Sequence, residues 1–407
     1  MFAYKKKYDV IVCGAGIAGI AAAVSAARMG CSVALIEKQT LIGGLATSGL
    51  IFFYLPLCDG KGNQIISGIP EELLKKSMEY SPFDLPPQWG GSGINRDFSR
   101  DTRYDVQFSP AGFTLSLDRV LKDADVDLWL ETMVCDVRMT GERIRAVEVE
   151  NTSGRGLLTA KCFVDTTGEA LLIRRAGGKV YTEENILSYW MIENISNHQA
   201  KFSFADTLHV QALTWKDYAV PSGSALSSAM VTRYTRECWE RTRKYLDESY
   251  KTSGQTRFEH FPVHLPAMAQ FRKIAVPENK IMLTDNDVEK HFDSSIGMTG
   301  DWRKSGPIWE TPFESLIPQE IQGVFTAGRC AGTLGDAWEI YRVIPAAAMT
   351  GEAAGCAAAL CARSGVSSHE LPANEVQKIL RARGIKLHRE EVLPDKDSQN
   401  NQQGKEK

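Results

Sequence analysis

The chain has 407 residues, more than one hydrophobic core usually serves, so two domains are the default expectation. Its apolar content of 43% and charged content of 24% are ordinary for a folded globular chain and exclude a disordered or fibrous one. A net charge of −3, with acidic and basic residues mixed along the chain, argues against a nucleic-acid surface held by electrostatics.

Taken in chain order, Lys5-Lys6-Lys7 leads into Tyr8-Asp9 and a strand, without the apolar stretch and cleavage site of a secretory signal. Residues 8–13 predict a short buried strand that ends in Gly14-Ala15-Gly16-Ile17-Ala18-Gly19. An Ala-rich helix follows over residues 20–29, closed by Gly30, and then a second β-rich run over 32–36 ends at Glu37. Strand, tight turn, helix, strand and acid form the opening unit of a dinucleotide-binding fold. Residues 51–105 are irregular, rich in Pro and Gly, with one helix expected over 71–78. A helix over 115–123 precedes four alternating runs (126–130, 132–139, 144–150 and 157–164) that predict a hairpin or meander leading into Asp165-Thr166-Thr167-Gly168. Residues 180–315 are the least regular, with a helix over 227–249 and an aromatic-rich stretch over 302–309. Residues 313–328 return to strand character, 344–362 predict a long helix of small residues, and 373–383 a short closing helix. The long helix carries Glu352 and many Ala and Gly residues, so a packed core helix is expected and not a bilayer span. Residues 391–407 are polar without period and are expected to be disordered.

Four segments carry chemistry. In Gly14-x-Gly16-x-x-Gly19 the first glycine permits the turn, the second lets backbone approach a pyrophosphate, and the third lets helix and strand pack closely. Glu37 then stands where an acid accepts hydrogen bonds from adenosine ribose hydroxyls. A second Gly-rich turn, Gly43-Gly44-Leu45-Ala46-Thr47-Ser48-Gly49, lies where a ligand longer than NAD would need it. The third is Gly323 to Arg329, a strand entering a glycine turn. The fourth is Arg342-Val343-Ile344-Pro345, opening the small-residue helix with Pro near its first position. Free N–H groups there would favour the negative charge of a reduced isoalloxazine.

These segments, with Asp165-Thr166-Thr167-Gly168-Glu169-Ala170, Ala327-Gly328-Arg329-Cys330 and Gly351-Glu352-Ala353-Ala354-Gly355, closely resemble the FAD-dependent oxidoreductase family. That family lies within the glutathione-reductase-like flavoprotein superfamily, related to the succinate dehydrogenase and fumarate reductase flavoproteins. The resemblance covers Tyr8 to about Gly384. It implies an α/β fold: a Rossmann-like FAD/NAD(P)-binding domain of glutathione reductase type with an inserted α+β substrate or cap domain. The expected FAD-binding domain is residues 1–50, 106–178 and 314–390, and the cap is 51–105 and 179–313.

The resemblance also implies an FAD cofactor with Gly14, Gly16 and Gly19 at the pyrophosphate, and Glu37 and Lys38 at the adenosine ribose. Gly44, Ala46 and Thr47 would lie along the ribityl phosphate, Val134 at adenine, and Thr167 and Gly168 over the adenosine side. Gly328 and Arg329 would meet the ribityl chain, and Val343 and Ile344 the flavin ring. Arg329 stands where many relatives place Asp or Glu, which puts the ribityl contact there in question.

For catalysis, Arg342 is either an anchor for a substrate carboxylate or carbonyl, or half of an ion pair with Asp336 or Glu339. His264 and His260 are either general bases reaching the flavin face or satisfied structural histidines. Asp301, Trp302 and Arg303 form a polar-aromatic loop that could return to the cavity. The nine irregularly spaced cysteines contain no Cys-x-x-Cys pair, which disfavours a flavin disulfide reductase and points to free thiols in the cytoplasm. No spacing of His, Cys or carboxylates indicates a metal site.

The leading expectation is hydride transfer between a small organic substrate and N5 of FAD. With only one dinucleotide fingerprint, electrons would pass to a separate acceptor. The alternatives are a tRNA-modifying or thiazole-forming flavoprotein and a non-catalytic binding protein on the same fold. The expected partners are a small-molecule substrate and the acceptor, with neither nucleic acid nor membrane; self-association is left open.

Overall fold

Val10, Ile11, Val12 and Cys13 are all fully buried, as a strand covered on both faces requires. They close the strand Tyr4–Cys13, which pairs in parallel with Val33–Ile36 on one side and Gly154–Asp165 on the other. The computed structural model describes residues 2–87, 90–91, 105–196 and 208–393, with the side chains of 186–187, 208–212 and 214–219 excepted. The expected disorder of the tail lies outside the described residues beyond 393, as do Ser92 and Gly93 of the irregular segment.

Among the described residues, the main sheet has seven strands. Asp127–Trp129 forms one edge beside Val33–Ile36, and the antiparallel meander of Met133–Thr140, Arg143–Asn151 and Gly154–Asp165 forms the other side. Val324–Thr326 returns from far along the chain to pair in parallel with the end of Gly154–Asp165. The long strand Gly154–Asp165 therefore shares one edge between its meander partner and this late strand.

Side-chain alternation divides the core between the two faces of the sheet. Val10 and Val12 join the cluster under the helices Ile17–Ala27, Ile69–Ser77, Pro110–Asp123 and Ile344–Ser364. Ile11 and Cys13 face the meander side. Pro110–Asp123 begins five residues before the helix expected over 115–123, because Ser109 caps it: Ser109 Oγ accepts from Gly112 N at 3.1 Å, and Pro110 occupies the first turn.

The small-residue helix Ile344–Ser364 is the one described helix long and apolar enough to cross a membrane, yet it lies inside the protein, crossing Ile17–Ala27. A Cβ built on Gly351 would stand 2.2 Å from the Ala18 carbonyl oxygen, and one on Gly355 2.1 Å from that of Ala22. Backbone touches backbone at this crossing, which is why the sequence places only small residues there. Glu352 is buried beside it. Its Oε2 accepts from Ile69 N at 2.8 Å, at the start of helix Ile69–Ser77, and its Oε1 accepts from Arg383 Nη1 at 3.0 Å. Burial raises its pKa, and the backbone N–H and Arg383 oppose the shift.

A second layer is built from the antiparallel strands Asn185–Ile195, Leu208–Val220 and His260–His264, backed by the helix Ser228–Thr252. It has its own small core of Tyr189, Met191, Leu213, Val220, Tyr234, Cys238 and Phe271. Residues of the segments expected to belong with this cap divide differently. Leu57, Ile65, Ile66, Leu283, Ile296, Met298, Ile308 and Trp309 pack into the large cluster around the small-residue helix.

The crossing makes a sharp prediction. Gly355→Ala should destabilise the protein by at least about 3 kcal/mol, because two backbones must separate. Gly177→Ala, at a positive φ of 82° with no neighbour within 4 Å of the added carbon, should lose only about 1–2 kcal/mol. Denaturant melts of the two variants check the difference, and equal losses would refute the backbone contact.

Candidate functional site

The glycine segments converge. Gly14 adopts φ +98°, with its N–H on Ile36 O at 2.8 Å and its α-carbon so close to the 165–168 loop that a Cβ would lie 2.7 Å from Thr166 O. Thr166 Oγ1 donates to Cys13 O and Gly14 O at 2.9 and 2.8 Å. A Cβ on Gly19 would sit 1.8 Å from Gly14 O, so Gly19 serves the packing of the turn and does not line the cavity. Gly43 N donates to Ala15 O at 2.7 Å, which ties the second glycine turn to the first. Gly328 closes the third side: a Cβ there would meet the Ala18 methyl at 2.8 Å, and its N–H donates to Thr350 Oγ1 at 3.0 Å.

Between these turns lies a cavity of about 380 Å³, lined by Gly14, Gly16, Glu37, Lys38, Gly44, Ala46, Thr167, Gly168, Gly328, Arg329, Arg342 and Ile344, among others. A second lobe of about 260 Å³ shares Gly14, Glu37, Lys38, Thr167 and Glu169 and continues to Thr132, Met133 and Val134. Three predicted residues stand one layer back. Gly19 packs the turn, Thr47 Oγ1 donates to Ile42 O at 2.5 Å within its own loop, and Val343 is the N-cap of the small-residue helix.

Glu37 is buried, with Oε2 accepting from Ala15 N at 2.9 Å and Oε1 from Gln39 N at 3.0 Å. The carboxylate thus braces the first turn while bordering both lobes. Burial raises its pKa, and the two N–H donors work against that shift. Lys38 reaches Glu169 at 3.5 Å from an exposed position at the rim. Asp165, fully buried, accepts from Thr167 N, Thr167 Oγ1 and Leu172 N at 3.1, 2.7 and 2.8 Å, and so shapes the loop carrying Thr167 and Gly168.

The cap supplies a wall that local sequence signals did not indicate: Ala225, Val231, Met268, Ala269, Phe271 and Ile274. It is fastened to the second glycine turn, with Ala267 N donating to Ser48 O at 2.9 Å and Gln270 Nε2 to Gly49 O at 2.5 Å. Arg329 spans the same seam. Its Nη1 donates to Phe271 O at 2.6 Å, and its guanidinium covers Gly168 so closely that a Cβ there would lie 2.2 Å from Nη2.

Arg342 borders the cavity just ahead of the small-residue helix, whose residues Ile344 and Ala347 also line it. Its Nε donates to Glu339 Oε2 at 2.6 Å, one of the two ion pairs expected for it, and Glu339 also lies 3.5 Å from Lys273. Burial pushes Glu339 up, but Arg342 and Lys273 together bring it below the usual carboxylate value. Asp336 is taken by Arg303 instead, which also pairs with Asp301, while Trp302 Nε1 donates to Glu339 O at 3.1 Å. Arg272 and Arg329 have lowered pKa values, Arg272 to about 9, first through burial and then, for Arg272, through the Arg342 charge.

The two histidines are placed elsewhere. His264 is exposed at the end of strand His260–His264, opposite Ile192, and does not line the cavity. His260 is buried in the cap, with Nε2 2.8 Å from Glu193 Oε2 and Nδ1 2.9 Å from Ser249 Oγ. No disulfide joins any of the nine cysteines, and none of them borders either lobe.

The model of the FAD dependent oxidoreductase family matches residues 9–191 and 243–380. The chain belongs to this family. Its cofactor is FAD, and it is an FAD-dependent oxidoreductase. The NADH:fumarate oxidoreductase of Klebsiella pneumoniae is 28% identical over 199 residues, 40% of this chain and 20% of that protein. A tRNA uridine 5-carboxymethylaminomethyl modification enzyme of Geobacter sulfurreducens is 48% identical over 58 residues, 12% of this chain and 9% of that protein. The matched stretches therefore span a fifth or less of these relatives. Among solved structures, p-nitrophenol 4-monooxygenase of Pseudomonas putida aligns over 98% of this chain and 92% of its own with a TM-score of 0.51 at 11% identity, a likeness of fold.

The residues present fit FAD. The two lobes form an extended cavity with a glycine turn at their waist, and a Cβ on Gly16 would meet nothing within 4 Å, leaving room for a ligand against bare backbone. Gly16→Val should accordingly leave the fold intact while a clash of about 1–3 kcal/mol weakens FAD binding roughly ten- to hundredfold. Gly19→Val should fail to fold. Flavin absorbance per chain, with melting of the apo-proteins, separates the two outcomes. A Gly16→Val variant with full flavin would place the cofactor elsewhere.

Proposed function

We propose that the enzyme transfers hydride between a small organic substrate carrying a carboxylate or carbonyl and N5 of FAD, with electrons passing on to a separate acceptor. The observation that carries this reading is the position of Arg342: it borders the same cavity as the three glycine segments, immediately ahead of the helix N-terminus that opens into it. FAD supplies the hydride chemistry when bound, and the protein supplies position and charge.

In this reading Gly14, Gly16, Glu37 and Lys38 hold the pyrophosphate and adenosine side at the shared waist. Val134 meets adenine in the smaller lobe, and Thr167 and Gly168 cover that half. Gly44, Ala46, Gly328, Arg329 and Ile344 hold the ribityl and ring portion in the larger lobe. Gly19, Thr47 and Val343 act behind them by fixing the turns and the helix start. The helix N-terminus favours negative charge developing beside it. Arg342 orients the substrate anion, and the Met268–Ile274 wall keeps water from the reacting face.

Two further features support a small substrate and a separate acceptor. Between 175 and 315 the described residues form an antiparallel sheet with a helix, not a second strand–turn–helix unit for a nicotinamide cofactor. The cap wall of Met268, Phe271 and Ile274 is apolar, which suits a compact organic molecule better than an RNA backbone.

Anaerobic screening of hydroxy acids, sugars and unsaturated acids should find compounds that bleach or reoxidise the flavin. Arg342→Gln should slow that bleaching by roughly 10²-fold while retaining the flavin. Glu339 keeps Lys273 as a partner in this variant, so the fold should survive. Bleaching of Arg342→Gln at the wild-type rate would remove Arg342 from the substrate site.

A further inference from the structure

Away from both lobes of the flavin cavity, two histidines and two carboxylates meet on the C-terminal side of the protein. The atoms that His291, Glu310, His388 and Glu390 offer as ligands all lie within 4.8 Å of one another. We propose that these four residues bind a divalent transition-metal ion, Zn²⁺ by ligand type, as a structural clamp.

The separations suit one ion. His388 Nδ1 is 3.1 Å from Glu310 Oε2, and His291 Nδ1 is 3.7 Å from Glu310 Oε1 and 3.6 Å from Glu390 Oε1. A tetrahedral Zn²⁺ with bonds of about 2.0–2.1 Å sets its ligands roughly 3.3–3.4 Å apart, so small side-chain shifts complete the shell. Imidazole and carboxylate together suit Zn²⁺, and four protein ligands make a closed, structural site.

Charge argues in the same direction. The two imidazole rings stack at 4.8 Å with 25° between their planes, and both present Nδ1 to the Glu310 carboxylate. In the tautomer that carries its proton on Nε2, each ring turns an Nδ1 lone pair toward that carboxylate, the form in which it can ligate an ion held between them. One divalent ion supplies the positive charge both nitrogens and both carboxylates face.

The surroundings already hold the ligands in place. His291 Nε2 lies 3.3 Å from Asp293 Oδ1, the second carboxylate that commonly orients a metal-bound imidazole. Glu310 is buried, and its oxygens accept from Phe292 N at 2.9 Å and Arg389 N at 3.0 Å. The ion would join three stretches: the turn before strand Ser295–Gly300, the strand Ile308–Pro312, and the segment following helix Ala373–Ala382.

Untagged flavoprotein, stripped with a chelator and dialysed, is titrated with ZnCl₂ by calorimetry, with metal content measured by mass spectrometry. The expected result is one Zn²⁺ per chain, a melting midpoint raised by about 2–5 °C, and unchanged flavin absorbance. The exposed side chains of His291 and Glu390 can be altered with little risk to the core. His291→Ala and Glu390→Gln should each weaken Zn²⁺ binding at least about tenfold with full flavin content. Absence of uptake by the wild type at millimolar Zn²⁺ would overturn the site. So would binding of equal strength in both variants, which would place the ion away from these four residues, or equal displacement by Mg²⁺ or Ca²⁺.

Discussion

The fold turns on a crossing in which no side chain intervenes. Where Gly351 and Gly355 meet the carbonyl oxygens of Ala18 and Ala22, the first helix and the long C-terminal helix approach at backbone distance. That approach puts the N-terminal ends of both helices at one cavity: Gly16 caps one and Val343 the other. Gly328 lies wedged against Ala18 in the same region, so the third turn reaches the cavity only because the helices are this close. Larger residues at the crossing would separate the turns that a dinucleotide must bridge.

The parts of the structure legible in the sequence are those dictated by local chemistry. The turn at Gly14, the Ala-rich helix, the acid at Glu37 and the Pro-led helix at Ile344 each carry a signal within a few residues. The first of the four alternating runs, Asp127–Trp129, pairs in parallel with Val33–Ile36 at the far edge, but the meander of the other three was visible from alternation. The cap was not, because its strands pair across long separations and its wall is defined by where Met268 and Phe271 end up, not by any period around them. Glu37 shows a subtler limit. Its side chain was expected to face a ribose, and it borders the cavity, but both carboxylate oxygens also hold backbone N–H groups of the surrounding turns. Spacing marks where such an acid stands and says nothing of how many partners it serves.

The histidines illustrate the same point in two directions. Their type suggested chemistry in the cap, yet His260 is consumed by Glu193 and Ser249, while His264 is exposed and does not line the cavity. The residues His291, Glu310, His388 and Glu390 share no short motif, and only the return of the chain after helix Ala373–Ala382 brings them together. At the flavin cavity itself, arginine dominates. Arg272, Arg329 and Arg342 influence one another electrostatically, and a carboxylate network through Glu339 and Lys273 holds Arg342 in position without leaving it buried and unpaired.

The long strand Gly154–Asp165, with its outer edge divided between Arg143–Asn151 and Val324–Thr326, has a consequence for biosynthesis. Emerging from the ribosome, the chain can complete its meander early, but the tip of that strand stays uncovered until residues 324–326 have been made, and the small-residue face of the first helix until Gly355 follows. Nascent chains of this enzyme therefore keep apolar backbone exposed until Gly355 has been made, and the flavin cavity closes only after that point.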